Sequence, residues 1–333
     1  MLCKEFLETY AKEKAGSGGF TDEQPLSCWW PPLDEVIDLR PTFGEVVVAL
    51  TFDKFPWLKP ASEYLGPAHR PLVGEEERRG KCVYVSLTSN ELRRLHAKCR
   101  ERKVTIHGAL CAAAQLALVS LVEEDTQQSS LITTCSSAIS LESHVRHHRS
   151  AALTQELEDT STTTTTIGAY ICDTRTRHEI VLKKGGRETF WRIASDVNAG
   201  VAASHHGERT IGLLAFIPAG LDAWRAFLQK LRDRPPNGRT TSVSVSNLGR
   251  APGGDWTDRR YHDLQLRKQQ DGCIAPLHFA HIKRGEGPLL ALSVVTLGDT
   301  LSCAISYPSP TIPTATARRY AEAFVGHLQM KDE

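Results

Sequence analysis

Two histidine pairs, His147-His148 and His205-His206, are the first residues in this 333-residue chain whose chemistry suits general-base work near neutral pH. Such a base needs a partner that holds its ring in one tautomer. His147-His148 runs into Arg149-Ser150-Ala151-Ala152, and His205-His206 into Gly207-Glu208-Arg209-Thr210. Neither places an acid and a glycine to orient the ring, so both pairs read as surface or loop residues. No G-x-S-x-G elbow is present to anchor a serine hydrolase triad. Gly185-Gly186 and Gly253-Gly254 lack the strand-to-helix setting of a phosphate-binding loop or a dinucleotide fingerprint. The nine cysteines are scattered singly, without the C-x-x-C spacing of a zinc site or the even count of a disulfide framework, so they read as reduced thiols and no metal is expected.

Three further groups have chemistry to offer. Arg93, Arg94, Lys98, Arg100, Arg102 and Lys103 crowd one short segment, which reads either as a polyanion site or as a solvated helix face. Ser246-Asn247-Leu248-Gly249 offers a hydroxyl, an amide and an unshielded backbone, and also has the composition of a plain turn. Trp29 and Trp30, beside Pro31 and Pro32, are paired aromatics that either line a pocket or pack. Forty basic and thirty-nine acidic side chains leave a net charge of +1, so no global field draws in nucleic acid or an anionic membrane. With 41% hydrophobic and 24% charged residues, the chain has a composition that buries a core. The longest nearly apolar run, Gly108 to Val122, is too short to span a bilayer. The amino end, MLCKEFLETYAKEK, carries charge throughout and no apolar signal core, so a cytoplasmic protein is expected.

These groups must be held by elements. Leu2, Phe6, Leu7 and Tyr10 predict a first helix, stopped at Gly16-Ser17-Gly18-Gly19. Glu45 to Phe52 predicts a short strand, and the irregular stretch 53–80 a boundary between units 1–75 and 76–333. Lys81 to Leu87 alternates as a strand does. Thr88-Ser89-Asn90-Glu91 is a capping-box pattern opening a helix that buries Leu92, Leu95 and Cys99. Thr105 opens a second helix, Ile106 to about Val122, apolar nearly all round. Ser140 to Arg149 is polar and basic, and Thr160 to Thr166 is a low-complexity loop. Ile167 to Cys172 predicts a strand and Phe190 to Ala203 a helix. Thr240 to Val245 predicts a half-buried strand ending at Ser246-Asn247-Leu248-Gly249. Leu289 to Thr296 and Thr300 to Tyr307 flank Leu297-Gly298-Asp299 as a hairpin, and a last helix follows Pro313. The order mixes strands and helices, which is an α/β or α+β class.

The segment Val85 to Leu118, VSLTSNELRRLHAKCRERKVTIHGALCAAAQLAL, resembles the strand, capped helix and buried helix that open the second half of condensation domains and alcohol acetyltransferases. The resemblance continues through Phe190-Trp191-Arg192-Ile193-Ala194, Ser244 to Gly249, and LLALSVVTLGDTLSCAISYPSPTIP with the closing helix, over residues 81–329. These proteins form the CoA-dependent acyltransferase superfamily, and the mycobacterial polyketide-associated acyltransferases are the subgroup suggested here. The resemblance implies a chloramphenicol acetyltransferase-like two-layer α/β sandwich, with one complete C-terminal half and a remnant of the N-terminal half.

It also implies acyl transfer from a CoA or carrier-protein thioester to an alcohol or amine, with that thioester as co-substrate and no bound cofactor. The family's general base is the second histidine of H-H-x-x-x-D-G, a motif not found in this sequence. The helix Leu2 to Tyr10 resembles the one that directly follows the motif, so Met1 is expected to fall just downstream of it and no catalytic residue is assigned. Two readings follow: a truncated acyltransferase, or a non-catalytic binding and interaction module built on the same fold. Ser246, Asn247 and Gly249 are then the residues expected to meet the thioester carbonyl or pantetheine arm, and Arg146 a CoA phosphate. The expected partners are a small-molecule acyl donor and acceptor, with an acyl-carrier protein as a further candidate and no nucleic acid.

Overall fold

The computed structural model describes residues 47, 51, 63–67, 79–122, 129–140, 171–182, 186–204, 229, 238–250, 278–282 and 287–329. Among them, six strands form one mixed sheet: β1 (Arg79–Leu87), β2 (Ser130–Ser140), β3 (Ile171–Val181), β4 (Arg239–Arg250), β5 (Gly287–Leu297) and β6 (Thr300–Ser309). Among the described residues, four helices of three turns or more accompany them: α1 (Ser89–Glu101), α2 (Ile106–Leu116), α3 (Arg187–Ser204) and α4 (Thr314–Gln329). The strand order is β1-β6-β5-β4-β2-β3. β2, β4 and β5 run parallel, and antiparallel pairs add β6 with β1 on one side and β3 on the other. Two neighbours across β6 run the same way, so β1 shares the direction of the parallel set. The carboxyl ends of β1, β2, β4 and β5 therefore meet at one edge of the sheet.

Local chemistry explains the elements. Thr88 caps α1: its Oγ1 accepts from the Glu91 backbone N–H, while Glu91 Oε2 accepts from Thr88 N at 2.8 Å, so the box is closed. Thr105 Oγ1 accepts from Gly108 N at 3.0 Å and opens α2. The apolar run does not stay α-helical to Val122. It tightens at Ala117–Leu121 into a 3-10 turn, where Ser120 Oγ donates to the Ala117 carbonyl at 2.7 Å. The hairpin pairs Leu297 with Thr300, and Gly298 takes the positive φ of 62° that its two-residue turn requires.

Helices cover one face of the sheet. α2 lies centrally against β2 and β4, with α3 and α4 packed on it and α1 beside α4. Ala109, Ala112, Ala113 and Ala114 are fully buried, which lets α2 approach its neighbours closely. Leu92, Leu95 and Cys99 are buried under α1, and Tyr320, Phe324 and Leu328 under α4, as their spacing requires. Facing them are Val83, Leu87, Leu131, Ile180, Val243, Val245, Leu290, Leu292, Cys303 and Ile305 of the sheet. Tyr64 N donates to the Ile132 carbonyl at 2.7 Å and Ser242 Oγ donates to the Tyr64 carbonyl at 2.6 Å, while on the face away from the helices His281 N donates to Ser293 Oγ at 3.2 Å. No single described helix is long and apolar enough to cross a membrane.

Several expectations need correction. Val47 and Thr51, placed in a strand by their β-branched neighbourhood, are helical, and Thr51 Oγ1 donates to the Val47 carbonyl four residues back at 2.7 Å. The strand expected at Ile167 to Cys172 is described from Ile171 and continues to Val181. Its charged positions Asp173, Arg175, Arg177 and Glu179 alternate with Thr174, His178 and Ile180, which is how an edge strand with one wet face reads. β2 had no apolar alternation to announce it. β4 does not stop at Val245 but continues through Arg250, with a register shift between Asn247 and Arg250. The expected first helix, the Trp29-Trp30 pair and the Thr160 to Thr166 loop lie outside the described residues, as do Arg146 and both histidine pairs.

Candidate functional site at the carboxyl edge of the parallel strands

In a sheet with parallel strands, ligands characteristically meet the edge where carboxyl ends converge, because backbone groups there are left unpaired. Ser246, Asn247 and Gly249 stand at that edge, at the end of β4. Ser246 is level with Ser293 of β5 and Asn247 with Val294. Strand alternation sends Ser246 to the face away from the helices, in one row with Ser242 and Ser244, and Asn247 to the helix side. Asn247 Oδ1 accepts from Gly249 N at 2.9 Å, and Gly249 adopts a φ of 71°, so the pair builds a bulge. That bond commits the Asn247 side-chain oxygen and leaves its amide N–H groups as donors. A Cβ at Gly249 would have nothing within 4 Å, so the glycine is there for its backbone angle rather than for space. Leu248 is 63% exposed, and Arg250 reaches Asp299 at 3.7 Å.

The face carrying Ser246 is unusually rich in hydroxyls. By register it includes Ser86, Ser302, Ser306, Ser293, Ser242, Ser244, Thr134 and Ser136. Cys82 Sγ and Ser306 Oγ lie 3.0 Å apart, and Ser242 Oγ accepts from Thr134 N at 3.0 Å. Thr134 Oγ1 is buried with no hydrogen-bond partner among the described residues. Ser242, Ser293, Ser302, Ser306, Thr134 and Ser136 are buried, whereas Ser244 and Ser246, nearer the carboxyl end, are half-buried and Ser86 is exposed, so the reachable hydroxyls lie towards the carboxyl edge.

A second cluster lies on the helix side, towards the same edge. Cys111 of α2 sits over β2, with its Sγ 3.4 Å from Ser137 Oγ and 3.5 Å from Nε2 of His107, one turn back. Burial works against a Cys111 thiolate, yet hydrogen bonds from the Cys135 thiol, then the charge and ring N–H of His107, hold the thiol well below its ordinary value. Burial opposes a charged His107, yet the Cys111 sulfur raises it, and Cys135 is pushed well above the usual range by Cys111 first and by burial. Sequence reading passed over this pair. The H-x-x-x-C spacing within a predicted helix is the signal that puts both side chains on one face. Cys111 is fully buried, so the pair ties α2 to β2 and has no open approach for a substrate.

Further along α2, Gln115 Oε1 accepts from Thr133 Oγ1 at 3.0 Å and contacts His178 Nδ1 at 2.9 Å, while His178 Nε2 lies 3.4 Å from Asp196. This network fastens β2, β3 and α3 to α2. Among the described residues no group of three or more histidine, cysteine, aspartate or glutamate side chains is placed to hold a metal ion, and Cys82, Cys99, Cys111, Cys135 and Cys303 are free thiols.

Among the described residues, one mixed six-stranded sheet with helices layered on one face makes a two-layer α/β fold, the fold found in an acetyltransferase and in an epimerization domain of a peptide synthetase. Among solved structures, the chain is similar to the trichothecene 15-O-acetyltransferase from Fusarium sporotrichioides, with a TM-score of 0.58 and 12% identity over 95% of this chain. It is also similar to the epimerization domain from the third module of tyrocidine synthetase B, with a TM-score of 0.52 and 12% identity over 98% of this chain. The chain spans 59% of the length of the first and 64% of the second. At that identity the likeness establishes the fold. No protein-family model and no curated protein matches the sequence.

Proposed function

We propose that the chain is an acyltransferase-type protein that receives the acyl thioester of CoA or a carrier protein at the carboxyl edge, for delivery to an alcohol or amine. The observation that carries this reading is the hydroxyl row ending at Ser246 beside the Asn247–Gly249 bulge, in a fold shared with an acetyltransferase. In it, the Ser246 hydroxyl donates to the thioester carbonyl or the pantetheine amide, and the Asn247 bulge sets the height of Ser246 at the edge. A thioester carbonyl gains negative charge as the acceptor attacks, so a fixed donor there lowers the barrier. Arg146 belongs to this reading as a counter-charge for a CoA phosphate.

The second reading, a non-catalytic binding module, is favoured by a separate observation. The sequence holds no H-H-x-x-x-D-G, and the buried ring of His178 is committed to Gln115 and Asp196, that of His107 to Cys111. Incubation of the purified chain with acetyl-CoA and medium-chain alcohols separates the two. Ester above the no-protein control, reduced in Ser246→Ala, supports transfer. Saturable binding of CoA by calorimetry without ester supports the module. Absence of both sinks the thioester site.

A further inference from the structure

Neither reading uses the histidines on the face that carries Ser246. The register lines up Tyr84 of β1, Ala304 of β6, Ser293 of β5 and Ser246 of β4 in one row across the sheet. Tyr84 alternates with Val83 and Val85, which pack on the core beneath the helices, so its ring stands on the same face as Ser246. Residues 278–282 cross that row. The His278 ring meets Tyr84 edge to face at 5.1 Å, and His281 N donates to Ser293 Oγ at 3.2 Å. Three residues of extended chain reach about 10 Å, which is two strand spacings of about 4.8 Å. The segment therefore passes from β1 over Ala304 to β5 and arrives one strand short of Ser246.

His281 is the histidine that this crossing leaves available. Its backbone is fixed by Ser293 and its ring meets Phe279 edge to face at 5.6 Å, yet the side chain is exposed. Neither ring nitrogen has a hydrogen-bond partner among the described residues. His278 is held against Tyr84 two strands further off. The other described histidines, His96, His107, His178 and His327, belong to the helix layer or face it. His281, anchored over Ser293, and the half-buried Ser246 are thus neighbours across β5 and β4, about 4.8 Å apart by the spacing of the strands.

We propose that Ser246 and His281 together receive the pantetheine arm of the thioester, Ser246 at the thioester carbonyl and the His281 imidazole at the amide next along the arm. This assignment rests on the thioester reading above and adds the direction in which the arm lies, across the strands from β4 to β5. A two-carbon linker separates the thioester sulfur from that amide, so in an extended arm the two polar groups lie about 5 Å apart, the spacing of neighbouring strands. A neutral imidazole both donates and accepts, as an amide requires of its partner. A phosphate calls for cations gathered around one point, and this row offers a hydroxyl and an imidazole instead.

The probe is S-acetylpantetheine, which keeps the thioester and the amides and carries no phosphate. Its binding to the full chain is followed by calorimetry, and the Cε1 proton of His281, identified by its loss in His281→Ala, by NMR. His281→Ala should weaken binding by about fivefold to tenfold. His96→Ala removes an exposed histidine from the helix layer and should leave binding intact. Saturating probe should shift the His281 proton and leave that of His96 in place. Melting curves of each variant confirm that the fold is kept. An affinity unchanged in His281→Ala, or an unmoved His281 proton, overturns the assignment while binding that is lost in Ser246→Ala keeps the thioester site. Equal losses in His281→Ala and His96→Ala overturn it as well. Absence of any binding by the unaltered chain sinks the thioester site, and the assignment with it.

Discussion

At the scale of single residues, histidines shifted by full or partial burial set the acid response. His178 is held below its ordinary value, first by burial and against the pull of Asp196; burial lowers His96 and His327 too. The unfolded chain then takes up protons that the native state resists. Their share of stability is complete above about pH 6.5, falls as pH drops below it, and levels off beneath the folded-state values. His107 has the opposite sign, since its raised value contributes below about pH 6.5 and that share is lost as pH climbs through it. The urea midpoint is therefore expected to fall between about pH 7 and about pH 5.5, and the fall should shrink in His178→Gln. An unchanged fall in that variant would remove His178 from the account. Thr88→Ala opens the capping box and should cost about 1 kcal/mol in the same assay. The thiols make a parallel prediction. Burial pushes Cys99 up to about 11 and Cys303 higher still, so both should resist a thiol reagent until the chain is unfolded.

At the scale of elements, the closeness of α2 and α3 rests on Gly108. A Cβ there would stand 2.6 Å from the Ala194 carbonyl oxygen and 2.6 Å from Asn198 Oδ1, and Asn198 Oδ1 also accepts from Thr105 Oγ1 at 2.6 Å. Backbone cannot yield as a flexible side chain does. Gly108→Ala should therefore destabilise by about 1–3 kcal/mol despite its better helix propensity, and denaturant unfolding checks it. Gly249→Ala tests a different constraint, a left-handed backbone angle in open space, and should cost about 1 kcal/mol. Here the elements differ in how plainly they were written. The α1 box, the hairpin at Gly298 and the Tyr320-Phe324-Leu328 stripe need only neighbours in sequence, so they were legible. β2 was not, because SLITTCSSAIS places Thr133, Cys135 and Ser137 on its helix-facing side. Those side chains are satisfied by Gln115, His178 and Cys111, from elements that no local pattern connects to it.

At the scale of the whole molecule, the helix layer and the sheet share one core. Phe324 is fully buried between α4 and its neighbours, and Tyr320 donates its hydroxyl to the Ala114 carbonyl at 2.8 Å, joining α4 to α2. Phe324→Ala should cost about 3–5 kcal/mol by the cavity it leaves, read from the denaturant midpoint. Because α4 is also tied to the start of α1 through Gln329 and Glu91, loosening it should loosen the start of α1 as well.

Composition, capping and periodicity by themselves determined an α/β chain with a buried central helix, a closing hairpin and an amphipathic last helix. All of these follow from interactions between residues a few positions apart. The strand order, the common edge where four carboxyl ends meet, and the placing of Ser246 and Asn247 on opposite faces were decided only by the tertiary structure. So were the Cys111–His107–Ser137 cluster and the pairing of Arg250 with Asp299. Each depends on which strand lies beside which, and that is settled by burying every apolar face at once.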